Sequence, residues 1–259
     1  MYGFQAIIFD VDGTLADTER DGHRMAFNAA FAEAGLDWDW DVERYGRLLA
    51  VTGGKERIRR FMQESGVSLD PALDPDVFVA GLHRAKTRHY LALLETGAIP
   101  LRPGVLRLLR EAREAGVRLA IATTTTPENV TGLLEHCGTP GVVDWFEVIA
   151  AGDVVPNKKP APDIFFLALE QMGLSAQDCV AVEDSDNGAR SAAAAGLNAL
   201  LITESTYTRG QDFGPAPLVV DRLGDPGEPA RAIKGDLGGA PFVDLSVLDR
   251  LHRWAYPRP

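Results

Sequence analysis

The chain has 259 residues, of which 46% are hydrophobic and 24% charged, with a formal net charge of -11. That length exceeds a single core of roughly 100–200 residues, so two domains are expected in an otherwise ordinary globular composition. The acidic balance argues against nucleic acid or anionic membranes as partners; with no apolar run near ~20 residues and no charged-then-apolar leader, a cytoplasmic location is expected. Cys137 and Cys179 show neither metal spacing nor a disulfide pattern and read as free buried thiols.

The run Gln5-Ala6-Ile7-Ile8-Phe9 reads as a buried parallel strand ending in Asp10, Asp12 and a turn at Gly13. Side chains alternate along a strand, so both carboxylates face one side, and like charges that close are costly unless a cation or a shared proton relieves them. Mg²⁺, a hard cation with oxygen ligands, would relieve them. The plainer reading is a strand end with an Asx turn.

Helical patterns follow. His23, Phe27, Ala30, Phe31 and Ala34 share one face, and Gly35 stops the helix. A second helix covers about 42–50. The turn Thr52-Gly53-Gly54 leads into a third from Lys55 to Glu64, and Asp74-Pro75 opens a long fourth running to about Glu95. This all-helical block, 17–99, has the look of a domain inserted after the first strand.

From Pro103 strands and helices alternate. Helices are expected at 105–115, from Pro127, at 162–172 and at 187–195, with strands at 117–122, 147–151, 179–182 and 199–202. The fold class is therefore α/β, a Rossmann-like doubly wound parallel sheet built from 1–16 and 100–224 with an inserted helical cap. The Gly- and Pro-rich extension 225–259, with a short amphipathic segment at 247–254, carries no readable role.

Three further constellations follow, two of them at strand ends. Thr123-Thr124-Thr125-Thr126-Pro127 offers hydroxyls and free backbone N–H groups to a phosphate, or simply caps a helix. Lys158-Lys159-Pro160-Ala161-Pro162 fixes a lysine before two prolines, or is a solvated loop. Glu183-Asp184 repeats the paired acids of the first strand, or caps the next helix.

These motifs, in this order, resemble the signature set of the haloacid-dehalogenase superfamily in its phosphatase form, Asp-x-Asp-Gly-Thr, Thr/Ser, Lys-Pro-x-Pro and paired acids. The resemblance implies that Asp10 attacks phosphorus and Asp12 is general acid and base. Thr123 and the amide of Thr124 would hold the phosphoryl group, and Lys159 would neutralise it, with Lys158 a solvated neighbour. Mg²⁺ would be held by Asp10, the backbone carbonyl of Asp12, Asp184 directly and Glu183 through a water.

A closer likeness covers 4–224. The runs Asp17-Thr18-Glu19-Arg20-Asp21-Gly22-His23-Arg24, Gly53-Gly54-Lys55-Glu56-Arg57, Leu101-Arg102-Pro103-Gly104, Ala151-Gly152-Asp153-Val154-Val155 and Tyr207-Thr208 look like CbbY-type sugar phosphatases. Those enzymes convert xylulose-1,5-bisphosphate, a Rubisco inhibitor, to xylulose 5-phosphate. On that basis Glu19, His23, Tyr45, Gly54, Lys55, Arg57 and Lys86 are the substrate-binding candidates in the cap, although His23 shares an apolar helix face that also suits a core histidine. A monomer acting on a small-molecule sugar phosphate is expected. The alternatives are a β-phosphoglucomutase-like mutase, a phosphatase for another sugar phosphate such as phosphoglycolate, and a non-catalytic sugar-phosphate sensor. A dehalogenase is disfavoured, having no use for Asp12.

Overall fold

The computed structural model describes residues 2–257. Its centre is a sheet of seven strands in the order β3-β2-β1-β4-β5-β6-β7. They are β1 Ala6–Phe9, β2 Arg118–Thr123, β3 Val148–Ala151, β4 Cys179–Glu183, β5 Leu200–Thr203, β6 Leu218–Val220 and β7 Ala232–Lys234. The first six pair in parallel and β7 runs antiparallel to β6.

Alternation divides the sheet's side chains between two cores. Ile7, Phe9, Leu119, Ile121, Val180 and Val182 point to one face. Helices α5 (Val105–Glu114), α6 (Pro127–Glu135) and α9 (Leu245–Ala255) cover it with residues such as Leu108, Leu133 and Leu248. Ile8, Ala120, Ala122, Ala181 and Leu200 point to the other face, under α7 (Asp163–Met172) and α8 (Asp186–Ala194). Both faces being covered explains why the strands read as unbroken apolar runs.

After β3 the chain crosses to the other side of β1 and continues as β4. The order therefore reverses beside β1, and the carboxyl ends of β1, β2 and β4 open around one crevice, where open α/β sheets place their ligands.

The block between β1 and β2 contains α1 (Arg24–Glu33), α2 (Val42–Leu48), α3 (Gly54–Glu64) and α4 (Pro75–Glu95). Asp41 and Asp74 cap α2 and α4, each accepting from backbone N–H groups of the first turn, and Pro75 occupies a position where its missing N–H costs nothing. Phe27, Phe31, Trp40, Tyr45, Ile58, Phe61 and their neighbours form a third apolar cluster inside this block. The chain enters and leaves it side by side, through an antiparallel bridge between Ala16 and Leu101 and a hydrogen bond from Arg102 N to Leu15 O of 2.8 Å.

One local departure from the expected pattern matters for the site. The helix containing His23 opens with a π-helical turn, Glu19–His23, before α1 begins. The wider turn aims His23 back at the end of β1 instead of into the apolar stripe.

The extension after 224 is part of the core. β7 adds an edge strand, and α9 buries Leu245, Val247, Leu248 and Leu251 against the sheet. The Tyr256 hydroxyl accepts from Asn198 N at 2.9 Å and donates to Gly196 O at 2.6 Å, fastening the end of α9 beside β5.

Candidate active site

Three carboxylates converge at the crevice. Asp10 follows β1, Glu183 ends β4 and Asp184 follows it, and one oxygen of each lies within 4.8 Å of the others. All three are buried. The backbone geometry forces the approach: Asp10 N donates to Val182 O at 2.9 Å, so the two strand ends are in register. Gly13 sits at φ 84°, and a Cβ there would lie 2.0 Å from Asp184 Oδ2. Only glycine allows the turn to close on that carboxylate.

Lys159 supplies one compensating charge. Its Nζ donates to Asp10 Oδ1 at 2.7 Å, Glu183 Oε1 at 2.5 Å and Ala122 O at 2.8 Å. Burial pushes Asp10 up to about 8, against the pull of Lys159 and with a further push from Glu183 and Asp12. Asp184 is driven well above the carboxylate range by burial and then by the charges of Asp10 and Glu183. Lys159 is itself held above its ordinary value because its two carboxylate partners overcome the cost of burial. Three carboxylates against one ammonium leave an excess of negative charge in a dry pocket. An all-oxygen donor set of this kind suits a hard divalent cation such as Mg²⁺.

Thr123, at the end of β2, is 1% exposed, and its hydroxyl accepts from Thr125 N at 3.3 Å. Thr123, Thr124, Lys159, Asp10, Asp12 and Asp184 all face one cavity of about 450 Å³ between sheet and helical block.

The Asp12 side chain leaves the carboxylate cluster. It turns toward the helical block, where its Oδ1 accepts from Thr18 Oγ1 at 2.5 Å and meets His23 Nε2 at 2.9 Å. Only its backbone carbonyl therefore remains available to a cation at the pole. Burial alone would raise the Asp12 pKa, but the charge and hydrogen bond of His23, the Thr18 hydroxyl and the Lys86 charge hold the carboxyl well below its usual range. Lys86 Nζ meets His23 Nδ1 at 2.8 Å and lies 5.0 Å from the Tyr90 ring centroid. His23 is thus bound at both nitrogens and is not a plain core histidine. Lys86 is pulled down to about 8 by burial, with Asp12 and Glu19 acting against the shift and Arg57 adding to it.

The other candidates from the helical block separate. Glu19 and Arg57 line the main cavity and also the smaller one beside it, which Gly54, Lys55, His23 and Lys86 line as well. Tyr45 lines neither. It is fully buried behind Glu19 and Arg57, its hydroxyl donating to Glu19 Oε2 and accepting from Arg57 Nη1 at 2.9 Å. Burial holds its phenol pKa well above the ordinary value, so it stays a donor. Tyr45 therefore acts on the cavity through its neighbours, in contrast to the direct contact expected from sequence. Lys55 is already taken, its Nζ 2.5 Å from Asp153 Oδ2. Lys158, expected to be solvated, is 18% exposed and is held by Glu56 and Asp153.

Four residues enter the site without having been singled out. Thr18 orients Asp12, and Ser205 stands between Gly13 and Asp184. His83 lines the smaller cavity and is pushed down to about 3 by burial and then by the charges of Lys86 and Lys55. Arg102 donates to Gly13 O and, at 3.1, 2.6 and 3.0 Å, to Thr203 O, Glu204 O and Asp221 O, tying the Gly13 turn to the far strands. Local pattern offered a signal for Thr18 and Arg102, which stand in the runs Asp17-Thr18-Glu19 and Leu101-Arg102-Pro103-Gly104.

A model of the haloacid dehalogenase-like hydrolases matches residues 4–196. The plasmid-borne protein CbbY of Cupriavidus necator is 49% identical over 255 residues, covering 97% of this chain and 93% of its own length. Protein CbbY of Cereibacter sphaeroides is 48% identical over 243 residues, 94% of this chain and 98% of its own. Among solved structures, a CbbY from Rhodobacter sphaeroides in complex with xylulose-(1,5)bisphosphate superimposes with a TM-score of 0.78 at 49% identity, covering 85% of this chain and 94% of that one. Matched by the family model over most of its length, the chain belongs to the haloacid dehalogenase-like hydrolases, in their CbbY-type branch.

Proposed function

We propose that this phosphoric monoester hydrolase is a Mg²⁺-dependent sugar-phosphate phosphatase acting through an aspartyl phosphate, with xylulose-1,5-bisphosphate as substrate and xylulose 5-phosphate and phosphate as products. The observation that carries the reaction is the pole itself, with a carboxylate and a threonine hydroxyl at two strand ends and an ammonium from the loop after β3 facing one cavity. The substrate assignment follows from the likeness to a CbbY whose structure holds that bisphosphate.

Each residue has a definite part. An Asp10 oxygen attacks phosphorus, the bond to the sugar oxygen breaks, and the sugar oxygen takes a proton from the Asp12–His23 pair. Water then attacks the aspartyl phosphate, giving its proton to Asp12 and its oxygen to the departing phosphate. Lys159 and Thr123 stabilise the phosphoryl oxygens as charge spreads over them. Asp10, the Asp12 carbonyl, Glu183 and Asp184 are the residues that would hold Mg²⁺, which when bound supplies positive charge to the phosphoryl oxygens. Glu19 and Arg57 face the sugar from above, with Tyr45 fixing both.

Phosphate release should be measured over a panel of sugar mono- and bisphosphates, with and without Mg²⁺. Preferred turnover of xylulose-1,5-bisphosphate is expected. A monophosphate turned over with a higher kcat/KM would remove the substrate assignment, and full activity in excess chelator would remove the metal.

A further inference from the structure

The helical block meets the sheet domain along two seams of opposite character. Beside the linkers the seam is apolar. Tyr90, Leu94 and Ile99 join the core cluster that holds Val130 and Leu133. There Gly132 of α6 lies so close to α4 that a Cβ on it would be 2.7 Å from Leu91 Cδ2. Across the mouth of the cavity the seam is ionic. Lys55 Nζ lies 2.5 Å from Asp153 Oδ2. Lys158 Nζ lies 3.0 Å from both Glu56 oxygens and 2.8 Å from Asp153 Oδ1. Asn187 Nδ2 donates to Thr52 Oγ1 at 3.1 Å in the same seam. The backbone is shaped for this contact: Gly53 has φ 100°, and a Cβ there would lie 2.2 Å from Glu56 Oε2 and 2.7 Å from Lys158 Nζ.

Opening the apolar seam would wet packed side chains, whereas opening the ionic one returns charged groups to water at small cost. A block held in this way would rotate about its apolar side and part at its ionic side. Lys158 also stands next to Lys159. The two side chains point in opposite directions, Lys158 toward α3 and Lys159 into the pole, where it is 5% exposed. A backbone displacement at Lys158 is therefore felt at the ammonium that touches Asp10, where misplacement by about 1 Å can cost about a hundredfold in rate.

We propose that Lys55, Glu56, Asp153 and Lys158 form an electrostatic clasp that holds the helical block shut over the site, and that Lys158 is a positioning residue passing closure on to Lys159. The clasp rests on the seam geometry alone. Its link to rate rests additionally on the phosphatase reading of Asp10 and Lys159.

The test uses the full chain with Cys137→Ser as background, spin labels at Arg60 on α3 and Arg190 on α8, and distance distributions at about 0.05 M and about 1 M salt, which differ severalfold in screening length. The parent should show one short distance at low salt and a second, longer one at high salt. Lys158→Met should show the longer population in both, Lys158→Arg should restore the parent pattern, and Glu56→Gln with Lys158→Met should be no worse than Lys158→Met alone. With para-nitrophenyl phosphate, kcat of Lys158→Met should fall roughly three- to tenfold and recover in Lys158→Arg, matching a coupling on the scale of one ion pair. Identical distances in parent and Lys158→Met at both salts would overturn the clasp. Distances that respond while kcat does not would overturn the transmission to Lys159. A responsive seam in a protein inactive on sugar bisphosphates would remove the substrate assignment and leave the clasp standing.

Discussion

Replacing Arg57 probes how a bisphosphate is told from a monophosphate. With one phosphate at Asp10, the other must meet a cation above the cavity, in a chain whose net charge of -11 offers no diffuse positive field. Arg57 is placed for this. It lines both cavities, is 7% exposed, and its guanidinium stands 5.1 Å from the Tyr45 ring centroid. Its Nη1 is engaged with the Tyr45 hydroxyl, Nη2 is 3.9 Å from Glu19 Oε1, and Nε has no hydrogen-bond partner among the described residues. The fork of a residue that lines both cavities thus keeps N–H groups for a ligand. Losing a charge-assisted hydrogen bond costs roughly 1.5–3 kcal/mol, about ten- to a hundredfold in kcat/KM. Arg57→Lys keeps the charge beside Glu19 but loses the fork, so kcat/KM for xylulose-1,5-bisphosphate should fall by about tenfold and that for a small monophosphate by less than about threefold. Steady-state phosphate release on the two substrates measures this directly. Lys55→Met is the contrast: its ammonium is bound to Asp153, so it should change both substrates alike. Equal losses on the two substrates in Arg57→Lys, or a bisphosphate-selective loss in Lys55→Met, would refute the assignment of the distal phosphate to Arg57.

Asp10→Asn should abolish turnover while leaving the melting temperature within a few degrees of the parent, since the amide is nearly isosteric but cannot be phosphorylated; activity within tenfold of the parent would exclude Asp10 as nucleophile. Mg²⁺ should raise the melting temperature by relieving the repulsion among Asp10, Glu183 and Asp184. Asp184→Asn should abolish that rise, and an unchanged rise would move the cation elsewhere. Burial pushes the Cys179 thiol up to about 12, so a thiol reagent at neutral pH should leave it unmodified in the folded protein, and mass mapping of the labelled chain checks this. Lys86 carries a pKa of about 8 when folded against 10.5 when free. Between those values the unfolded chain holds the proton that the folded one has lost, so this group's contribution to stability increases as pH rises through the window. The melting temperature of Lys86→Met relative to the parent should therefore drop on going from pH 7 to about pH 9.5, and a pH-independent difference would count against the lowered pKa of Lys86.

The sheet and its catalytic loops were legible because each rests on a local signal. An apolar run makes a covered parallel strand, and the polar residue at or just after its last position lies at the carboxyl end, as Asp10, Thr123 and Asp184 do. The short strand β6 and the edge strand β7 were not legible, since three residues are too few for any period to register, and their place is set by pairing with a neighbouring strand. The π-helical turn at Glu19–His23 was equally hidden. Helical periodicity put His23 on the apolar stripe, and only the partners at its two nitrogens, Asp12 and Lys86, account for the extra residue.

The cations of the helical block show where sequence reasoning stops. Lys55, Arg57 and Lys86 are equivalent as charges, and all three fit a phosphate in the abstract. What separates them is the partner each already has. Lys55 is committed to Asp153 across the seam and Lys86 to His23 behind Asp12, whereas Arg57 keeps N–H groups with no hydrogen-bond partner among the described residues. Those partners lie 98 and 63 residues away, beyond any pattern a window could detect. The same logic converts Lys158 from a solvated neighbour into a member of the ionic seam, since Glu56 is 102 residues distant. In an acidic chain every cation near the pole is contested by carboxylates, and the ones left for substrate are those whose geometry prevents a carboxylate from saturating them. Arg57 meets that condition because, with Nη1 on the Tyr45 hydroxyl, its Nη2 stands 3.9 Å from Glu19 Oε1, beyond hydrogen-bond reach.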